Sequence, residues 1–189
     1  MAKTVLYMSM SLDGYIAGPN ETDENGLGDG GDRLHEWVFP PEGGVNSQIY
    51  DEFMSTGAVI AGRGTFEPAS GWDGDHHDGV PIWVVSRKPA PAWTAAWANV
   101  HYTSDVETAF REARTAAGSR DVLVHGASTA QRAIAAGILD ELEIHLVPVL
   151  LTAGRRLFDN LEPNQRELER VRVLEGEGGV THLRYRVQY

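Results

Sequence analysis

The stretch AVIAGRGTF, residues 58–66, carries an apolar run into Gly62-Arg63-Gly64-Thr65. A guanidinium there could fork onto a phosphate, and a threonine in the first turn of a following helix could donate to the same anion. Two further runs end in comparable chemistry. IWVVSRKP supplies Ser86, Arg87 and Lys88, and VLVHGAST leads Gly126, Ala127, Ser128 and Thr129 into the amino terminus of a helix, where free N–H groups suit a pyrophosphate. Each has a plainer reading as well: a solvated arginine, a basic turn, a helix cap. Their recurrence in chain order at the carboxyl ends of strands, where open α/β sheets bind ligands, outlines an anion site held at three points.

The elements that must position these residues follow from periodicity and punctuation. Thr4 to Met10 reads as a strand, followed by the long loop SLDGYIAGPNETDENGLGDGGD, whose length favours a functional role. VNSQIYDEFMSTG places Val45, Ile49, Phe53 and Met54 on one helical face, with Gly57 as a stop. Strands VPIWVVS and NVHY come next, then a helix from after Ser104 to Gly118, the strand RDVLVHG, the helix STAQRAIAAGILDEL and the strand EIHLVPVLL. Two alternating strands close the chain around a glycine-rich turn from Glu175 to Gly179. Alternating strands and helices imply parallel crossovers, and the terminal hairpin adds an antiparallel edge. The expectation is one domain over residues 1–189, a three-layer α/β fold with a mixed, mostly parallel sheet.

Composition narrows the function. The chain has 189 residues, no cysteine, and 16 Lys+Arg against 27 Asp+Glu, a net charge of −11. That balance opposes nucleic-acid binding, which needs clustered cations, but allows one small anion met by local positive charge. Without cysteine there is no disulfide, thiol nucleophile or thiolate metal site. No apolar run approaches the roughly 18 residues of a membrane span, and the amino terminus reads as a strand rather than a signal peptide; the expected compartment is the cytoplasm. GDHHDG sets His76 and His77 between Asp75 and Asp78. Adjacent loop histidines are expected to point apart, and no third ligand stands at a metal-site spacing, so a solvated loop at the pocket rim is expected and no metal. GLGDGG follows no strand and is no dinucleotide fingerprint. Trp37 and Trp72 could stack on a ring or cover the core.

Taken in order, SLDGYIAG, AVIAGRGTFE, IWVVSRKP, VHGAS and GILDELEIHLVPVLLTAGRRLF resemble the bacterial dihydrofolate reductase-like proteins grouped with the reductase domain of the bifunctional riboflavin-synthesis deaminase/reductase. The resemblance covers nearly the whole chain, and the last of these segments is similar to the riboflavin branch in particular. It implies an eight-stranded mixed sheet, NADPH as cofactor, a pterin, pyrimidine or similar heterocycle as hydride acceptor, and a homodimer. By the same resemblance Gly62, Arg63, Gly64 and Thr65 meet the 2′-phosphate and pyrophosphate, and Ser86 and Arg87 complete the 2′-phosphate pocket. Gly126, Ala127, Ser128 and Thr129 underlie the pyrophosphate, Ile16 and Ala17 line the nicotinamide, and Tyr7, Phe53 and Trp37 fall to the substrate half.

The chain departs from that pattern in three places. Dihydrofolate reductases carry an acid four residues before the Phe of the first helix, and here Ile49 stands four residues before Phe53; Asp51 and Glu52 belong to other faces. His125 replaces the first glycine of a Gly-Gly pair that often forms a cis peptide, and Thr152 replaces a glycine. The expected function is therefore an NADPH-dependent reductase of a small heterocycle or carbonyl compound other than dihydrofolate, with no catalytic acid named. A nucleotide- or pterin-binding protein without turnover is one alternative. A stand-alone 5-amino-6-(5-phosphoribosylamino)uracil reductase is another, for which Arg155 and Arg156 are the only spare basic pair to grip the substrate phosphate.

Overall fold

In the computed structural model, which describes residues 2–22, 24–38 and 43–189, the elements follow as β1 (Thr4–Ser11), β2 (Tyr15–Ala17), α1 (Val45–Met54), β3 (Ala58–Gly62), α2 (Arg63–Phe66), β4 (Ile82–Val85), β5 (Val100–Thr103), α3 (Val106–Ala117), β6 (Val122–His125), α4 (Ala127–Ala135), β7 (Glu141–Val147), β8 (Arg155–Arg156), β9 (Leu168–Glu175) and β10 (Thr181–Val187). Asp23, in the long expected loop, lies outside the described residues. Eight strands form one sheet in the order β5-β4-β3-β6-β1-β7-β10-β9, and β2 pairs with β8 apart from it. The first six strands of that order run parallel, while β10 is antiparallel to both β7 and β9. This is the mixed, mostly parallel α/β sheet with an antiparallel terminal hairpin that the sequence predicts.

Central parallel strands are covered on both faces and so read as continuous apolar runs. Ala58, Val59, Ile60 and Ala61 of β3 are fully buried. One face packs Leu6, Ile60 and Val124 against Phe110 and Ala113 of α3 and Ala130 of α4. The other packs Val5, Tyr7 and Val59 against Phe66 of α2, with Phe53 of α1 at its margin. Local signals set the bounds of α3: the Asp105 carboxylate accepts from the Glu107 N–H, and Gly118 leaves the helix at φ 65°. Helix α1 is capped from far away instead, because Glu177 in the β9–β10 turn accepts from the backbone N–H groups of Val45 and Asn46, both at 3.0 Å.

Under α1 the far half of the sheet is polar. Glu141 and Glu143 of β7 are fully buried and meet Arg184 of β10, whose Nε lies 2.7 Å from Glu141, while Arg172 of β9 joins Glu52 at 2.6 Å and Glu143 at 3.2 Å. Such a network is tolerated because each charge has an opposite neighbour. Burial pushes the Glu143 carboxyl above its ordinary value even so.

One helix is shorter than its periodicity suggests. Helix α4 ends at Ala135, and Gly137 turns the chain at φ 71°, so that Glu141 and Leu142 begin β7 instead of extending the helix. The apolar spacing of Ile138 and Leu139 serves the core around that turn. Among the described residues no helix is long and apolar enough to cross a membrane.

Candidate functional site

At the carboxyl ends of the parallel strands, on the α1 side, a cavity of about 440 Å³ opens between β1, β6, β7, the loop after β3 and the strand β2. Ile16 and Ala17 line one wall with Gly64 and Thr65; Tyr7, Phe53 and Trp37 line the other, together with Tyr50 and Trp72. Seven of the residues assigned from sequence to the cofactor and substrate halves thus share one chamber. Arg63, Ser86, Arg87 and the segment Gly126–Thr129 stand at the neighbouring strand ends without lining it. The small β2–β8 sheet fixes the Ile16–Ala17 wall, and Gly154 presses so closely on the Ala17 carbonyl and Gly18 that a side chain there has no room.

The strand ends of β3 and β6 interlock. A Cβ on Gly126 would lie 2.5 Å from the Thr65 hydroxyl, and one on Gly62 3.0 Å from that of Thr129. Gly126 holds φ 92° at the start of α4, no side chain caps that helix, and the His125–Gly126 peptide is trans. The first-turn N–H groups of α4 therefore remain available beside Thr65. Next to them Arg63 pairs with Glu67 at 3.1 Å, and the other Glu67 oxygen accepts from Tyr102 at 3.4 Å. Burial, then the Glu67 charge, pushes the Tyr102 phenol upward. The Ser86 hydroxyl is used within its own turn, donating to the Lys88 carbonyl at 2.9 Å and accepting from the Lys88 N–H at 3.0 Å.

Four histidines, His35, His76, His125 and His145, also line the chamber. Asp75 and Asp78 are exposed as a solvated loop requires, but the expectation for the two histidines is corrected: His77 is buried, and the Nδ1 atoms of His76 and His77 lie 2.7 Å apart rather than pointing away from each other. Positive φ at Ser70, Trp72, Asp73 and Asp78 folds this loop back over the chamber. Trp72 stacks edge-on to His76 with centroids 4.6 Å apart, and Phe53 meets His76 at 5.3 Å and His125 at 5.8 Å. On the opposite side Trp37 covers His145 at 4.2 Å and its indole N–H donates to Ser9 at 2.8 Å.

The hydrogen-bond partners fix the tautomers. His125 Nδ1 lies 3.1 Å from the Tyr7 carbonyl, which only accepts, so Nδ1 carries the proton. His77 Nε2 donates to the Thr56 carbonyl at 3.1 Å, which makes its Nδ1 the acceptor from His76 Nδ1. Asn46 donates through its amide to the Glu177 carbonyl, so its oxygen accepts from His182 Nε2 at 2.9 Å, and His182 Nδ1 accepts from His145 Nδ1 at 2.9 Å. Burial holds His125 down at about 4, and His76 down at about 2 with help from its histidine neighbours; burial also lowers His35 and takes His145 well below the ordinary value. All are neutral at pH 7. Burial pushes the Tyr7 phenol up to about 12.

Among the described residues, formal charge enters the chamber wall only as Glu21 and Arg155, which meet at 2.6 Å, Arg155 also reaching the Gly64 carbonyl at 3.5 Å. Arg156 is engaged too, lying 4.4 Å over the Tyr15 ring and donating to the Tyr15 hydroxyl at 3.0 Å. Ile49 is fully buried away from the chamber, and Glu52 belongs to the ion network beneath α1. Among the described residues no group of three or more His, Asp or Glu is arranged to hold a metal.

The family model described as the RibD C-terminal domain matches residues 2–181. Among solved structures, a candidate riboflavin biosynthesis protein from Shewanella sp. PV-4 superposes with a TM-score of 0.76 at 22% identity, covering 100% of both chains. A pyrimidine reductase-like protein from Corynebacterium diphtheriae superposes at 0.65 with 13% identity, covering 100% of this chain and 92% of that one. RibD of Acinetobacter baumannii superposes at 0.64 with 16% identity, this chain spanning 59% of its length. No curated protein sequence matches the chain.

Proposed function

Because the chain belongs to the RibD C-terminal domain family, we propose that it is an NADPH-dependent reductase, delivering hydride to a small heterocyclic or carbonyl compound other than dihydrofolate. The observation that carries this reading is the junction of an aromatic chamber with the interlocked strand ends of β3 and β6, where Gly126 leaves the start of α4 uncapped beside Thr65. A dinucleotide needs this combination of an anion cradle and an adjoining slot for its reactive ring. The residues fit NADPH: Gly126, Ala127, Ser128, Thr129 and Thr65 would hold the pyrophosphate, Arg63 and Arg87 the 2′-phosphate, and Ile16 with Ala17 the nicotinamide. When bound, NADPH would supply the hydride.

The chain's own contribution is orientation and exclusion of water. Tyr7, Phe53 and Trp37 would hold the acceptor ring, and we assign no catalytic acid, since the one carboxylate on the wall among the described residues, Glu21, is tied to Arg155. The same pairing weakens the reading as a 5-amino-6-(5-phosphoribosylamino)uracil reductase, because Arg155 and Arg156 are both engaged. We place the protein in the cytoplasm as a homodimer, with the exposed Leu168, Val171 and Val173 of edge strand β9 in the subunit contact.

Titration with NADPH and NADH, followed by ligand fluorescence, tests the proposal. Saturation with preference for NADPH is expected, and absence of binding to either overturns it. Binding without NADPH consumption across pterins, flavins and quinones would favour a binding protein on the same fold.

A further inference from the structure

We propose that His76, His125 and His145 form a three-point hydrogen-bond acceptor array that selects an uncharged planar ring bearing N–H donors. This rests on the reading of the chamber as the substrate site. In each of the three rings Nδ1 is the protonated nitrogen, spent on His77, on the Tyr7 carbonyl and on His182 respectively. Nε2 is left as a lone pair with no hydrogen-bond partner among the described residues. Three separate relays, each ending in a backbone carbonyl or in the Asn46 oxygen, hold the rings in the same sense. A neutral histidine can present either nitrogen as acceptor; here the fold has fixed the choice three times, and all three rings line one chamber.

The chemistry that matches is specific. A ligand edge that set only acceptors against these three rings would leave their buried lone pairs unpaired. A ligand with ring N–H or amino groups would satisfy them, with its faces against the aromatic side chains of Phe53, Trp72 and Trp37. An anionic group set against these three rings meets no spare cation there, since Arg155 already answers Glu21, and it would be desolvated among neutral rings. The substrate class is therefore a donor-bearing, unphosphorylated aza-aromatic ring.

Lumazine, an uncharged fused ring with N–H groups, serves as the probe, beside 1,3-dimethyllumazine, in which those protons are replaced, and 6-carboxylumazine, which adds a charge. Fluorescence titration of the whole protein near neutral pH, without cofactor, is expected to show saturable lumazine binding, with both derivatives weaker by at least about tenfold. His125→Phe and His76→Phe keep a ring and remove an acceptor. Either variant, provided it melts as the unaltered protein does, should bring lumazine toward the affinity of the dimethyl compound. Failure of lumazine to bind, equal binding of either derivative, or a discrimination that survives both substitutions overturns the proposal. No nicotinamide is present in the assay, so its failure leaves NADPH binding intact, and failure of NADPH to bind leaves its result standing.

Discussion

The Nδ1 atoms of His145 and His182 lie 2.9 Å apart, so one must donate while the other accepts, and a proton on His182 Nδ1 would set two N–H groups face to face and break the contact between the rings. Burial lowers His182 to about 4 and His145 well below its ordinary value; His125 sits at about 4 and His76 at about 2 for the same first cause. A free histidine titrates near about 6.5. Below that value the unfolded chain takes up protons that the folded chain refuses, so stability is complete above about pH 6.5 and declines as pH falls toward about 4, by at most about 1.4 kcal/mol per pH unit for each buried ring. Urea midpoints measured across this window should fall well before the carboxylates titrate. A flat profile between about pH 6.5 and about pH 5 would contradict the neutral histidine relays.

Arg63 does not wait free for a phosphate, because Glu67 holds it at 3.1 Å. Arg63→Ala should weaken NADPH by about tenfold or more, consistent with loss of a charge-assisted contact, while NADH changes little. Glu67→Gln should act in the opposite direction, tightening NADPH by about threefold, since a half-exposed ion pair competes only modestly. Fluorescence titrations of both variants with both nucleotides check this; equal weakening of NADPH and NADH by Arg63→Ala would remove the 2′-phosphate from Arg63.

Gly126 combines a positive φ of 92° with a missing Cβ whose place lies 2.5 Å from the Thr65 hydroxyl. Gly126→Ala must strain the backbone and displace Thr65 together, costing about 1–3 kcal/mol of stability. Nucleotide affinity should fall in the same variant, read by titration below its melting temperature. The control Gly79→Ala shares positive φ but has open space around it, and should lose stability without losing nucleotide affinity.

What the sequence makes legible is local. The apolar runs Ala58–Ala61 and Ile82–Val85 fix strands, Asp105 and Gly118 bound α3, and Gly62, Thr65 and Gly126 meet because parallel neighbours end at the same level. The histidine relays are not legible, since His145 and His182 are 37 residues apart and meet only through the β7–β10 register. Likewise the alternation of Glu141, Glu143 and His145 suggests a solvent-facing side of β7, yet that side is buried, because Arg172 and Arg184 answer the charges beneath α1. The GDHHDG loop misleads for a backbone reason: its left-handed turns bring His76 inward against Trp72.

The missing acid of α1 yields the last test. Ile49 occupies the place of a dihydrofolate reductase carboxylate by the sequence resemblance, but here it is fully buried and does not line the chamber, whereas its neighbours Tyr50 and Phe53 do. A carboxylate at position 49 would thus be sealed in the core and would not face a substrate. The ion network beneath α1 already sets Glu52, Glu141 and Glu143 against Arg172 and Arg184, so a further acid finds no spare cation there. Ile49→Asp should therefore destabilise the fold by about 3–5 kcal/mol, the range for an uncompensated buried charge, and should give no dihydrofolate turnover. Thermal melting and an NADPH-oxidation assay with dihydrofolate report on the two parts separately. A variant that melts as before and reduces dihydrofolate would mean that the side chain at 49 reaches the chamber, and that the loss of one acid alone separates this site from a dihydrofolate reductase.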